Sequence, residues 1–345
     1  MLLPVLVPVV PAGEGAEAVR VLVTGASSLL GGATARLLRD RGDEVTVFQR
    51  RPAGLTGARE ILGDVTDAVA VAEAARGQDA VVHLAARVSV VGSWEAFTAV
   101  NVGGTANVLA AARMAGVGRV VHVSSPSVAH AGHALVGAGA DPADPARARG
   151  HYARSKALAE RRALAADGPD LAVLAVRPHL VWGPGDTQLV GRIVQRARAG
   201  RLALVGDGAA LIDSTYLDDA AAALVAALEA APRAHGRALV VSSGEPRPVA
   251  ELLSRICLAA GASPPRLRLP RALAWTAGAA AEAVWTLTGR ADDPPMTRFL
   301  AAQLSTAHWF DQRRTRALLG WAPAVGLDEG FERLRAWFAA GSPRP

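Results

Sequence analysis

Short apolar runs and longer stretches of helical period alternate along the chain from Val19 onward. Val19 to Val23 reads as a strand and meets a glycine-bearing turn, Thr24 to Gly32, before a helical pattern over Ala33 to Arg41. Val45 to Phe48, Arg59 to Leu62, Asp79 to Leu84, Val120 to Ser125 and Leu171 to Val176 read as further strands. Between them, Asp67 to Arg76, Trp94 to Ala115 and Tyr152 to Ala166 carry helical period. This alternation predicts an α/β protein with a Rossmann-like doubly wound parallel sheet, whose ligands lie beyond the carboxyl ends of the strands. Gly25, Asp64, Ala85 and Ser125 fall at such ends.

The pattern changes after the stretch Arg177 to Asp186. Helical segments over Leu189 to Ala199, Asp218 to Ala231 and Val249 to Ala260 alternate with short strands near Leu204 and Val240, and a tail carrying five tryptophans, Trp275 to Trp337, follows. This predicts a smaller, helix-rich C-terminal lobe. Ser127 to Gly150 has little periodicity and reads as a long loop, a feature that is usually functional or disordered in a compact domain. Ala272 to Trp285 is nearly apolar but holds Glu282 and is too short for a stable membrane span. A buried lobe helix is the expectation there, and an interfacial membrane helix the alternative. The apolar start, Met1 to Val10, is broken by prolines and lacks a positive leading region, which argues against a signal peptide.

Composition narrows the class. Half of the 345 residues are apolar, enough for one large α/β domain or two lobes sharing a core. The net charge is +6, yet the arginines are interspersed with acids and form no basic run, so nucleic acid is not an expected partner. The single cysteine, Cys257, excludes an internal disulfide and a cysteine-rich metal site, and fits a reducing, cytoplasmic setting. His130 and His133 have no third ligand at metal spacing, and no metal is expected.

Among 37 basic residues one alone is lysine, Lys156, and one of the two tyrosines, Tyr152, precedes it by four positions. On a helix these two share a face. An ammonium beside a phenol favours phenolate, which predicts a lowered Tyr152 pKa suited to general acid/base work. The turn after the first strand would hold a pyrophosphate on backbone N–H groups at a helix start, with Gly25 and Gly31 allowing close approach and Ser28 standing where the usual middle glycine lies. Gln49-Arg50-Arg51 ends the second strand, where an NAD site usually has an acid, so Arg50 and Arg51 favour NADP(H) over NAD(H), with a solvated arginine pair as the plain alternative. Singly, Ser125 reads equally as a strand-end hydrogen bonder and Tyr152 as a surface aromatic. Together and in this order they point to carbonyl and alcohol redox chemistry.

In these motifs the chain resembles the extended short-chain dehydrogenase/reductase family from about Val19 to the C-terminus. Thr24-Gly25-x-x-Ser28-x-x-Gly31 resembles its cofactor turn, Asp64-Val65 its adenine-contacting pair, and His83-Leu84-Ala85-Ala86 the segment beneath the cofactor. Asn101-Val102-x-Gly104-Thr105 resembles the helix motif whose asparagine supports a proton relay, and Ser125, Tyr152 and Lys156 fall on the catalytic trio. Trp182-Gly183-Pro184-Gly185-Asp186 and Pro294 to Phe299 are similar to the 3β-hydroxysteroid dehydrogenase group; Ser125-Pro126-Ser127-Val128 and His308-Trp309-Phe310 are closer to bacterial 2-alkyl-3-oxoalkanoate reductases.

The resemblance implies an NAD(P)(H)-dependent oxidoreductase that interconverts a ketone and a secondary alcohol on a bulky apolar substrate. Its implied catalytic residues are Ser125, Tyr152, Lys156 and Asn101. Its implied cofactor contacts are Gly25, Ser27, Ser28, Leu29, Leu30, Gly31, Arg50, Arg51, Asp64, Val65, Ala85, Ala86 and Pro178, with Tyr152 and Lys156 again. Ser127, His179 and Trp182 are expected near substrate. Residues 1–18 are expected to be a flexible extension, 19–180 the NAD(P)-binding domain and 181–345 mainly the substrate lobe, with returns to the Rossmann sheet left open. A nucleotide-sugar epimerase or dehydratase, or a non-catalytic NAD(P)-binding protein, is the alternative, and a homodimer is in keeping with the family.

Overall fold

A computed structural model describes residues 18–89, 91–129, 133–288 and 294–342. Residues 1–17 of the expected extension, and His130, lie outside the described residues. The first six sheet strands or linker strands in chain order are β1 (Arg20–Thr24), β2 (Glu44–Gln49), β3 (Arg59–Leu62), β4 (Ala80–His83), β5 (Arg119–Val123) and β6 (Leu135–Ala138), and β7 (Ala172–Pro178) follows. Helices α1 (Leu29–Asp40), α2 (Ala68–Ala75), α3 (Trp94–Phe97), α4 (Thr105–Met114) and α5 (Gly150–Ala165) connect them.

Seven strands form one parallel sheet in the order Arg237–Val241, β7, β5, β4, β1, β2, β3. The order reverses beside β1, so ligands are expected where β1 and β4 diverge. Both sheet faces are buried, as near-continuous runs such as Val21-Leu22-Val23 and Val120-Val121 require. One face packs Val21, Val23 and Val121 against α1 and the helix Leu217–Ala234. The other packs Leu22, Val81 and Val120 against α2, α4 and the end of α5. The edge strand Arg237–Val241 comes from the second half of the chain and pairs with β7.

The lobe has its own core, in which Trp182, Tyr216, Ile256, Phe331 and Leu334 are buried. Its four-stranded sheet contains β6, which pairs with His308–Phe310. The segment from Ser127 to Gly150 is therefore not the structureless loop expected from its composition. It holds a 3-10 turn, Pro126–Val128, and a strand that ties the link between Ser125 and Tyr152 to the lobe. Nor is Trp94 to Ala115 one regular helix: Thr98–Gly104 is π-helical between α3 and α4. A second correction concerns the helix Arg271–Thr288, expected to be buried. Leu273, Trp275, Val284 and Leu287 on it are 53%, 48%, 47% and 87% exposed, because only its opposite side, through Ala274 and Gly278, packs on the lobe.

Candidate active site

The turn between β1 and α1 is shaped for a close neighbour. Gly25 has φ +79°, and a Cβ there would lie 2.8 Å from the Ala85 nitrogen. A Cβ on Gly31 would strike the Gly25 carbonyl and Ser28 Oγ. Ser28, where the family has glycine, has φ −81° and needs no glycine freedom. Its Oγ accepts from the Gly31 N–H at 3.1 Å and donates to the Gly25 carbonyl at 2.8 Å, capping α1. The α1 N-terminus, with Ser27 exposed and Leu29 and Leu30 half-buried, thus offers backbone N–H groups and a positive dipole end to a diphosphate. Thr24 Oγ1 accepts from the Ala85 N–H at 3.2 Å, holding the segment Ala85-Ala86 across from the turn. Val65 closes the adjoining side. Its carbonyl accepts from Asn107 at 2.9 Å, and Gly104 lies so close that a Cβ there would meet the Val65 side chain at 2.6 Å. These residues fit a dinucleotide.

Arg50 and Arg51 stand exposed beyond β2, with Arg50 3.9 Å from Asp64 in an open ion pair. Gln49 turns inward and donates to Glu60 at 2.8 Å.

The helix α5 brings Tyr152 and Lys156 onto one face, and Ser125 meets them from the end of β5. Ser125 Oγ lies 2.9 Å from Ser127 Oγ and hydrogen-bonds the Tyr152 hydroxyl. Lys156 is 4% exposed and donates to the Val123 carbonyl at 2.6 Å. Burial lowers its pKa from 10.5 to about 8, and the Glu160 carboxylate one turn along opposes that fall. The expected depression of the Tyr152 pKa is not observed. Burial pushes the phenol up and the Ser125 hydrogen bond only partly holds it back, while Lys156 directs one of its three donors to Val123.

Asn101 occupies the π-helical turn, a feature that often marks functional positions. Its Oδ1 accepts from the Arg87 N–H at 2.7 Å, and its Nδ2 donates to Ser155 Oγ at 2.9 Å. Asn101 therefore braces the Ala85–Arg87 segment against α5 at Ser155, the residue before Lys156. Its own carbonyl accepts from Thr105 Oγ1 at 2.7 Å.

A buried polar layer lies under the trio, and its His122, Glu160 and Arg177 belong to none of the site motifs read from the sequence. His83 bridges Thr24 at 2.7 Å and Thr105 at 3.0 Å; burial first, then the Lys156 charge, holds its pKa at about 3. His122, beside it on β5, has neither ring nitrogen hydrogen-bonded and is held well below 6.5 by the same two causes. Glu160 and Arg177 form a bidentate ion pair at 2.8 and 2.5 Å, each side chain 1% exposed. The signal for Glu160 was its i+4 spacing from Lys156, which continues the Tyr152–Lys156 stripe.

Of the residues expected near substrate, Ser127 lies beside Ser125, and His179 is buried against His308 at 3.1 Å and against Phe310. Trp182 is a correction: it is 2% exposed, stacked on Phe331 at 4.5 Å, and donates its indole N–H to Ser214. That packing leaves it no surface for substrate. Pro178, expected at the cofactor, is the last residue of β7, which runs two residues beyond the strand read from the sequence. Among the described residues no cluster could hold a metal ion.

Residues 21–242 match the NAD dependent epimerase/dehydratase family. A 2-alkyl-3-oxoalkanoate reductase of Stenotrophomonas maltophilia is 44% identical over 329 residues, 93% of this chain and 100% of its own. Another reductase of that name, from Shewanella oneidensis, is 36% identical over 93% of this chain and 87% of its own. Among solved structures, MoeE5 in complex with UDP-glucose and NAD is similar, with a TM-score of 0.70 at 27% identity, over 93% of this chain and 99% of that one.

Proposed function

The chain belongs to the NAD dependent epimerase/dehydratase family, and from that membership we propose that it reduces the 3-oxo group of a long-chain 2-alkyl-3-oxo acid, with NADPH preferred. It is an oxidoreductase of the dehydrogenase/reductase type. Residues 19–180, completed by the strand Arg237–Val241, are taken as the cofactor-binding unit, and the remainder mainly as the substrate lobe. The observation that carries the reading is the meeting of Ser125, Tyr152 and Lys156 beside a turn shaped for a dinucleotide.

When bound, the nicotinamide supplies the hydride that reaches the carbonyl carbon. Ser125 Oγ hydrogen-bonds the carbonyl oxygen and places it against the Tyr152 hydroxyl. Tyr152 donates its proton to that oxygen as negative charge develops on it. Burial raises the phenol's pKa and so favours the protonated form that donates to the substrate oxygen. Lys156, anchored to Val123, has two further ammonium hydrogens and would hold the nicotinamide ribose with them. Asn101 positions rather than reacts, by holding Arg87 and Ser155. The preference for NADPH rests on exposed Arg50 and Arg51, of which only Arg50 has a carboxylate nearby, Asp64 at 3.9 Å, and on the absence of an acid at positions 49–51.

Purified protein should oxidise NADPH in the presence of a 2-alkyl-3-oxo acid, and exchange of Arg50 and Arg51 for alanine should raise the KM for NADPH roughly tenfold or more while leaving that for NADH nearly unchanged. Turnover of a nucleotide sugar with no net change in cofactor would establish the epimerase reading instead.

A further inference from the structure

The helix Arg271–Thr288 presents an apolar stripe that none of the described residues covers. Leu273, Ala277, Ala280, Val284 and Leu287 recur at intervals of four, three, four and three residues, which places them on one side of a helix. All five are exposed, Leu287 at 87%. The stripe runs about 21 Å along the helix and contains no charge. Its reverse side is committed to the lobe, since a Cβ on Gly278 would lie 2.6 Å from the Thr297 carbonyl carbon. An exposed contiguous apolar surface of this kind marks an interaction site.

The flanks indicate what covers it. The segment that enters the helix places Arg266, Leu267, Arg268 and Arg271 on the surface, Leu267 being 54% exposed. Asp207 lies close enough to Arg271 and Arg268 to be influenced by both, and offsets one of these charges. Glu282 is engaged by Arg298 at 2.7 Å, and Trp275, 48% exposed, sits beside that arginine at 5.8 Å. Those three residues lie toward the lobe side, so what accompanies the uncharged apolar stripe is the pair of exposed arginines, Arg266 and Arg268, at the entry to the helix, the pattern of a helix that lies in the plane of a bilayer surface. A second copy of the chain fits less well: five side chains, two of them alanine, fall short of the roughly 1,200–2,000 Å² that stable protein interfaces bury.

We propose that Arg271–Thr288 is an interfacial anchor, docking the protein on an anionic lipid bilayer with Leu273, Val284 and Leu287 entering the acyl boundary and Arg266 and Arg268 meeting lipid phosphates, while Arg271 stays with the lobe through the Ser305 carbonyl. Among the described residues no helix is long and apolar enough to cross a membrane, so the attachment is peripheral. It stands independently of the substrate assigned above.

Flotation of the full chain with phosphatidylcholine vesicles, with and without phosphatidylglycerol, tests it. Binding should be severalfold stronger on the anionic vesicles and weaken at high salt. Leu273→Ser, Val284→Ser and Leu287→Ser combined should lower it roughly tenfold or more while thermal stability and NADPH binding stay at wild-type levels. Leu287→Ser alone, at the most exposed of these positions, should weaken it severalfold and serves if the triple variant folds poorly. Equal binding of neutral and anionic vesicles, or undiminished binding by the folded variants, overturns the proposal. So does a dimer that the same substitutions convert to monomer without vesicle binding, which would assign the stripe to a second copy.

Discussion

Exchange of Lys156 for methionine should abolish turnover and yet leave the cofactor-free protein as stable as, or more stable than, the wild type near neutral pH. The lysine is 4% exposed, and burial lowers its pKa from 10.5 to about 8. With the folded value below the unfolded one, the unfolded chain binds more protons between those two limits, so wild-type stability rises with pH across that window. Below about pH 8 both states are protonated and the buried ammonium costs about 3 kcal/mol. Methionine removes that cost but leaves the Val123 carbonyl, now bonded at 2.6 Å, without its donor, a loss of about 1–3 kcal/mol. The variant should therefore lie between neutral and about 2 kcal/mol more stable near pH 7. Near pH 9.5 the wild type should have regained about 2 kcal/mol relative to it. Urea unfolding of both proteins without cofactor at the two pH values measures this. A variant more than about 2 kcal/mol less stable near pH 7, with a gap independent of pH, would refute the reasoning.

Two further substitutions probe the buried layer. Glu160→Gln leaves Arg177 an uncompensated buried charge and should cost about 3–5 kcal/mol, while Glu160→Leu with Arg177→Met recovers most of it; a loss under about 1 kcal/mol in urea unfolding counts against the pair. Because Glu160 raises the Lys156 pKa, the same Glu160→Gln change should also move the alkaline limb of kcat to lower pH. His122→Leu replaces a ring with no hydrogen-bond partner at either nitrogen, and should be neutral or stabilise by up to about 1 kcal/mol in a thermal melt. Marked destabilisation would show that the ring is hydrogen-bonded.

The parallel sheet was legible because β1, β4, β5 and β7 are buried on both faces and so read as unbroken apolar runs between helical segments. The cofactor turn was legible for a related reason, since backbone approach at Gly25 and Gly31 excludes side chains and leaves a visible glycine spacing. What stayed hidden depends on contacts far apart in sequence. The strand β6 exists because His308–Phe310 lies beside it, and nothing within Ser127 to Gly150 announces that pairing. The direction of the Tyr152 shift was misjudged because i+4 spacing places Lys156 on the same face without saying where its ammonium points; Val123, on a different element, decides that. Trp182 stood in a family motif, and its packing on Phe331 came from a helix some 150 residues later. The helix Arg271–Thr288 illustrates the converse: apolar composition suggested burial, whereas the lobe had only one side to offer it.

The central claim is that Tyr152 delivers the proton in an NADPH-linked ketone reduction. Single-turnover oxidation of bound NADPH by a 2-alkyl-3-oxo acid, compared between the wild type and Tyr152→Phe, tests it most directly. The account predicts a rate lower by roughly 10²- to 10⁴-fold in the variant with NADPH affinity unchanged. A Tyr152→Phe protein that reduces the ketone within about threefold of the wild-type rate would contradict it.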